Sequence, residues 1–361
     1  MAVPVYLQDV TYVGKQVESP GDIIKRGVFN GLDLADLGIT VREDVVVREQ
    51  MYLISMQESI TRKRTGCGER TNSGALIARQ KYLEVTNLQI WDEICAEDFG
   101  GTFWTLFRKK GYDVNNLEGT QIQEVLNELY MGIWKRDMLT IVQFADTAIA
   151  PGAVVANPGP GGTPAAKAAY AAYAKKAMLS SLDGFWKLVF AGAAKRTADA
   201  ADPDGITRAE IIPQTGALPA NYTRDVLLPS LYAAQSELMY QVDDSEKRFV
   251  LSRSLFQNYA DSIARTPATD ASFLILQNGQ KEYYYKGVKL VENRMIEQKA
   301  DELKRRAYLI VDGGFQVGTD TMQDSQTMET WYSKDFDLNN IRIRYKLGVQ
   351  YVDGDVIVAA Y

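Results

Sequence analysis

The stretch TQIQEVLNELYMGIWKRDMLTIVQFAD, residues 120–146, carries the clearest periodicity in the chain. Its apolar side chains fall at Ile122, Val125, Leu126, Leu129, Tyr130, Ile133, Trp134, Met138, Ile141 and Val142. Steps of three and four place them on one face of a helix. Thr120 with Gln123 forms a capping box at its start, and Pro151 follows its end. At about 1.5 Å per residue the helix runs about 38 Å, long for a globular protein, and it reads as a structural spine. Leu126, Leu129, Ile133 and Trp134 are its expected core contacts, packed beneath β-strands. Lys135 and Arg136 fall on the opposite, polar side.

Working toward the N-terminus, two segments rich in β formers, 45–61 and 76–94, flank a glycine-rich polar turn that runs from Arg62 to Gly74. They predict two long strands joined by a tip, although residues 87–98 also fit a helix. A strand of 17 residues would reach about 55 Å. A compact chain of this length has a radius of gyration of only about 21 Å. Such a hairpin projects from its own globule. Its tip bears Arg62, Lys63, Arg64 and Arg70 around Cys67. We read these four cations as an ion-pair contact with an acidic patch on another subunit, ahead of a nucleic-acid contact or a solvated turn. Residues 1–44, broken by prolines and glycines, read as an apolar extended arm that needs something to lie on.

Toward the C-terminus, a proline- and glycine-rich loop spans 151–164. Helices are expected at 165–178, 182–194 and 223–241. A strand at 248–252 leads into a helix at 255–264. Short strands follow at 273–277, 282–291, 307–312, 341–347 and 349–358. The whole is an α+β pattern with no internal repeat.

Composition removes much of enzymology. The 361 residues contain no histidine, which excludes Ser-His-Asp and Cys-His catalysis and imidazole zinc sites. Cys67 and Cys95 cannot build a disulfide framework, and free thiols in a reducing compartment are expected. The 46 acidic residues against 40 basic ones argue against a dedicated nucleic-acid binder. No apolar run reaches the ~18–20 residues of a membrane span, and the N-terminus lacks the pattern of a secretory signal. The Asp202-Pro203-Asp204-Gly205 turn resembles part of a calcium loop, but Ala200 and Ile211 stand where the loop needs its first and last carboxylates. Pro158-Gly159-Pro160-Gly161-Gly162-Thr163 lacks the Gly-Lys-Ser/Thr ending of a phosphate cradle. No cofactor or metal is expected.

The order of these parts resembles the major capsid proteins of tailed bacteriophages, whose fold is named for phage Hong Kong 97. Residues 246–256, EKRFVLSRSLF, look like the family's segment of hydrophobic strand, Asn or Ser, and short helix. Gly287-Val288-Lys289-Leu290-Val291 is similar to its Gly-x-Pro-Val turn, with Lys289 where proline is common. Tyr308 to Phe315 look like its Gly-Asp-Phe strand end, with the Gly and Asp in another order. Residues 341–358 resemble its closing strands.

The resemblance implies an N-terminal arm (1–44), an E-loop hairpin (45–97) and a peripheral domain (98–150, then strands in 307–347). It implies an axial domain at 151–306, to which 348–361 returns. It also implies assembly in the host bacterial cytoplasm into hexamers and pentamers of an icosahedral virion shell. The partners would be other copies of the chain and portal, scaffold or decoration proteins, with packaged DNA touched only weakly and no membrane. An encapsulin-like compartment shell shares the fold. A histidine-free enzyme working through carboxylates, or a tube or sheath protein, stands further off.

Overall fold

The computed structural model describes residues 34–56, 76–95, 121–158, 162–200, 202, 204–264, 273–275, 281–296, 305–320, 328–336 and 338–361. A 3-10 turn at Ala35–Leu37 leads into β1 (Ile39–Arg42). The hairpin strands β2 (Arg48–Met56) and β3 (Leu76–Glu84) come next, then β4 (Thr86–Cys95) and the long helix α1 (Gln121–Phe144). Helices α2 (Pro164–Leu179) and α3 (Phe185–Ala198) pass to β5 (Thr207–Glu210), a π-helical turn (Thr223–Leu227), α4 (Leu228–Ala233) and α5 (Glu237–Gln241). β6 (Lys247–Ser252) runs into α6 (Arg253–Ala264), followed by β7 (Phe273–Ile275), β8 (Lys281–Tyr285), β9 (Val288–Asn293) and β10 (Ala307–Val311). β11 (Phe315–Gly318), β12 (Met328–Ser333), β13 (Leu338–Tyr351) and β14 (Ile357–Ala360) complete the described path.

A seven-stranded sheet has the order β5-β14-β10-β6-β9-β8-β7. Its central strands are buried at almost every position: Phe249, Val250, Leu251, Leu309 and Ile310 are fully enclosed. Strands apolar on both faces require a cover on both. On one face lie α6, α4 and the π-turn, bringing Leu255, Tyr259, Leu227 and Leu231 onto Phe249, Leu251 and Val358. On the other lies α3, whose Phe185, Trp186 and Val189 meet Val250, Tyr308 and Ile357. The C-terminal end of α1, with Leu139, Ile141 and Val142, joins the same core.

The second sheet is built around β13. Its first ten residues pair antiparallel with β4, and Leu338 to Ile343 also pair with β12 on the other side. Its last four pair with β11, which pairs in parallel with β1. Among the described residues β2 and β3 pair only with each other, over nine register pairs.

The spine helix forms as the spacing predicts. Elsewhere the structure differs from the sequence reading for local reasons. The second long strand expected at 76–94 is two strands: the chain leaves the hairpin at Val85 and joins β13, so 86–95 is neither hairpin nor helix. The single helix expected over 223–241 is broken. Pro229 has no N–H to close an α-turn onto Asp225, and the backbone widens into the π-turn there. A new helix then starts at Ser236, whose side chain caps Met239 N. The strand expected at 282–291 is a hairpin, turned by Lys286 and Gly287 with φ of 47° and 88°. The strands read as separate at 341–347 and 349–358 divide elsewhere: β13 runs unbroken to Tyr351, and the rest of the second segment is a 3-10 turn and the start of β14. β10 lies between β14 and β6 in the seven-stranded sheet. Among the described residues no helix is long and apolar enough to cross a membrane.

Candidate assembly interface

The hairpin meets the body at a narrow base, made possible by Gly348. A Cβ at this position would collide with the Glu84 carbonyl, so only glycine lets the end of β3 cross so close to β13. Val45, Met51 and Leu83 form a small buried cluster there, with Val85 packed against it. Val45 N donates to Thr319 O at 3.0 Å, Val85 N to Val47 O at 3.1 Å, and Lys346 Nζ to Val46 O at 2.9 Å. Arg42 pairs with Glu49 at 2.6 Å.

One turn of the pleat outward, Lys81 on β3 shares the inward face with Leu83. Its ammonium lies 2.8 Å from Asp204 Oδ1 and 3.7 Å from the centroid of the Tyr351 ring. The Tyr351 hydroxyl donates to the Asp204 carbonyl at 2.9 Å, and Lys195 Nζ stands 3.6 Å from Asp204 Oδ2. Burial would raise the Asp204 pKa, but the hydrogen bond and charge of Lys81, with Lys195 behind them, hold it below the ordinary carboxylate value. Asp353 goes the other way: burial raises it, against the charges of Lys81 and Arg79. The sequence signal for this cluster was thin. Asp204 stood out only as part of a calcium-like turn, and its partner Lys81 is far away in the chain.

The spine helix seats on the inner face of the second sheet. Leu126 is buried at 7% exposure and lines a small cavity with Ile94, Tyr332 and Ile341. Leu129 and Trp134 are half-buried, and Ile133 is 36% exposed, at the rim of the face. Gln123 donates to Thr330 Oγ1, and the Tyr130 hydroxyl to Asp92. Lys135 and Arg136 face solvent. On the outer face, Arg342 lies between the rings of Trp91 and Trp331, at 6.0 and 5.0 Å from their centroids, and pairs with Glu329. Arg62, Lys63, Arg64 and Arg70, with Cys67, lie outside the described residues, as do residues 1–33 of the expected arm.

Large apolar side chains remain uncovered on the single chain. Val47 is 71% exposed and Tyr52 67% at the hairpin, and Phe336 is 77% exposed in the turn between β12 and β13. Among the described residues no cluster of His, Cys, Asp and Glu could hold a metal.

No family model and no curated protein matches the sequence. Solved structures do match in fold. A chain of the satellite phage P4 procapsid, a particle that includes the size determination protein, is similar at TM-score 0.51 and 9% identity, over 90% of this chain and 85% of that one. A chain of the capsid of a native GTA particle matches at TM-score 0.51 and 9% identity, over 97% and 94%. A chain from Gordonia phage Cozz matches at TM-score 0.50 and 12% identity, over 91% and 85%. The protein has the phage-capsid fold. It is the Hong Kong 97-type arrangement, with a two-stranded hairpin apart from both sheets among the described residues, a spine helix beneath one sheet and helices on both faces of the other.

Proposed function

We propose that this chain is the major capsid protein of a tailed phage, self-assembling into hexamers and pentamers that close an icosahedral shell around packaged double-stranded DNA. The observation that carries the reading is the β2–β3 hairpin. A two-stranded ribbon is marginal in water by itself, and this one, among the described residues, shares no sheet with the body and leaves Tyr52 exposed. A surface on a neighbouring copy would cover it. Heterologous contacts of this kind close into rings and shells when the rotation is right. Each can be weak, because the shell repeats it many times over.

In this reading the covered seven-stranded sheet and its helices make up the axial domain, and α1 with β4, β12 and β13 the peripheral domain. The role is assembly without catalysis, in the virion. Portal, scaffold or decoration proteins are further partners, and the net negative charge keeps contact with DNA weak. An encapsulin-type shell would use the same fold around an enzyme cargo; the likeness to a phage procapsid chain favours the viral reading.

Negative-stain electron microscopy of the purified full-length chain, over a range of protein and salt concentrations, tests it. Capsomers or closed shells are expected. A folded chain that stays monomeric throughout overturns the proposal.

A further inference from the structure

The hairpin is joined to the body by two short irregular links, residues 43–47 on one side and Val85 on the other. Between them β3 passes β13 in a close backbone approach at Glu84 and Gly348, which fixes the base of the hairpin but not the direction of its outer part. A direction needs a second attachment further out. Lys81, three residues beyond the crossing, supplies it, about 10 Å along the strand.

The body side of that attachment is held by backbone and side-chain hydrogen bonds. Asp204 N donates to Asp202 Oδ1 at 2.8 Å, Gly205 N to Asp202 O at 3.0 Å, and Ile206 N to Gly192 O at 3.0 Å. Arg196 clamps the same loop through Gly205 O at 2.8 Å and pairs with Asp355. The Tyr351 ring forms the floor under the Lys81 ammonium. Gln350 Nε2 also reaches Tyr82 O, at 3.3 Å.

We propose that the Lys81–Asp204 ion pair, seated on Tyr351, is a latch that sets the direction of the hairpin, and that releasing it frees the hairpin to swing about residues 43–47 and Val85. The leverage is large. The nine described residues of each strand span about 30 Å, so a swing of about 10° moves their far end by about 5 Å. The latch belongs to the single subunit and stands apart from whether the chain assembles.

Hydrogen exchange in full-length, unassembled subunits tests the latch. The reporters are the amide of Val45, which bonds from its link to Thr319 O on the body, and the amide of Val85, which ties the two links together through Val47 O. In Lys81→Met and in Asp204→Asn, exchange at these two amides is expected to rise about tenfold, with the amides of Ala307–Val311 unchanged. Lys195→Met touches Asp204 from the body side only and should leave the hinge amides at the wild-type rate. Unchanged hinge exchange in both latch variants overturns the proposal. Equal acceleration throughout the chain also overturns it, because the pair would then stabilise the fold as a whole.

Discussion

Trp134 of α1 meets Tyr345 of β13 edge-on, with ring centroids 5.7 Å apart and planes at 79°. This contact seats the middle of the spine helix on the second sheet, and it separates the residues that hold the helix down from those at its rim. Leu126→Ala removes a buried side chain and is expected to cost about 2–4 kcal/mol. Ile133→Ala, at the rim, should cost under about 1 kcal/mol. Urea unfolding of unassembled subunits measures both, and equal losses would mean that the seated face has been misidentified.

Asp137 lies on the same helix, close to Tyr345. Burial raises its carboxyl above the ordinary 3.8, outweighing Arg136 beside it. Its charge also helps push the Tyr345 phenol to about 12, after burial as the larger cause. A carboxyl whose folded pKa is raised binds its proton more tightly when folded. Its contribution is therefore best at low pH and is lost as pH rises from the unfolded value through the raised folded one. Asp137→Asn should accordingly gain stability relative to wild type at neutral pH, and the gap should close on acidification to about pH 3.5. Parallel unfolding curves across that range decide it. A gap that does not change with pH removes the carboxyl as its source.

Lys247 is a cation in the interior, 2% exposed, held by Asp244 at 2.7 Å and Gln235 at 3.1 Å. Asp244→Ala strands the ammonium without its counter-charge, at an expected cost of about 2–4 kcal/mol. Adding Lys247→Met to that variant should recover most of the loss, since an apolar side chain of similar volume needs no partner. A double variant as unstable as the single one would show that Asp244 acts through something other than the pair.

If the four tip cations meet an acidic surface on a neighbour, changing Arg62, Lys63, Arg64 and Arg70 together to Ser should reduce particle yield and leave subunit stability within about 0.5 kcal/mol. Each exposed pair is worth only about 0.2–1 kcal/mol, but every copy loses it. High salt should imitate the substitution. Particle counts beside unfolding curves test this, and normal yield from the quadruple variant would reduce the cations to a solubility role.

The parts of the fold legible in the sequence were those written in a local repeat. The spine helix announced itself because ten apolar residues kept one period. The strand-to-helix passage at 247–264 was legible for the same reason, an unbroken apolar run followed by an amphipathic one. Strands β1, β5 and β11, four residues each, were not legible, because four residues hold too little pattern and their partners lie far off in the chain. The departure at Val85 was hidden likewise. Nothing between Lys81 and Ile90 breaks the β composition, and the turn is dictated by β13, whose pairing with Thr86–Cys95 spans some 250 residues of sequence. Nothing in the local sequence marks Lys81. Its inward placement becomes visible only when Asp204 and Tyr351 are folded beneath it.

β13 is one unbroken strand of 14 residues, held by β4 and β12 at one end and by β11 at the other. After a single 3-10 turn the chain enters β14, a buried strand of the other sheet between β5 and β10. Tension that draws the two halves of the molecule apart therefore runs lengthwise down this strand. It loads the ten residue pairs with β4 in shear, where they must yield together and cannot be peeled one at a time. Tension applied across β12, the edge of this sheet among the described residues, meets the opposite arrangement and opens pair by pair. The molecule is accordingly stiff along β13 and compliant across it.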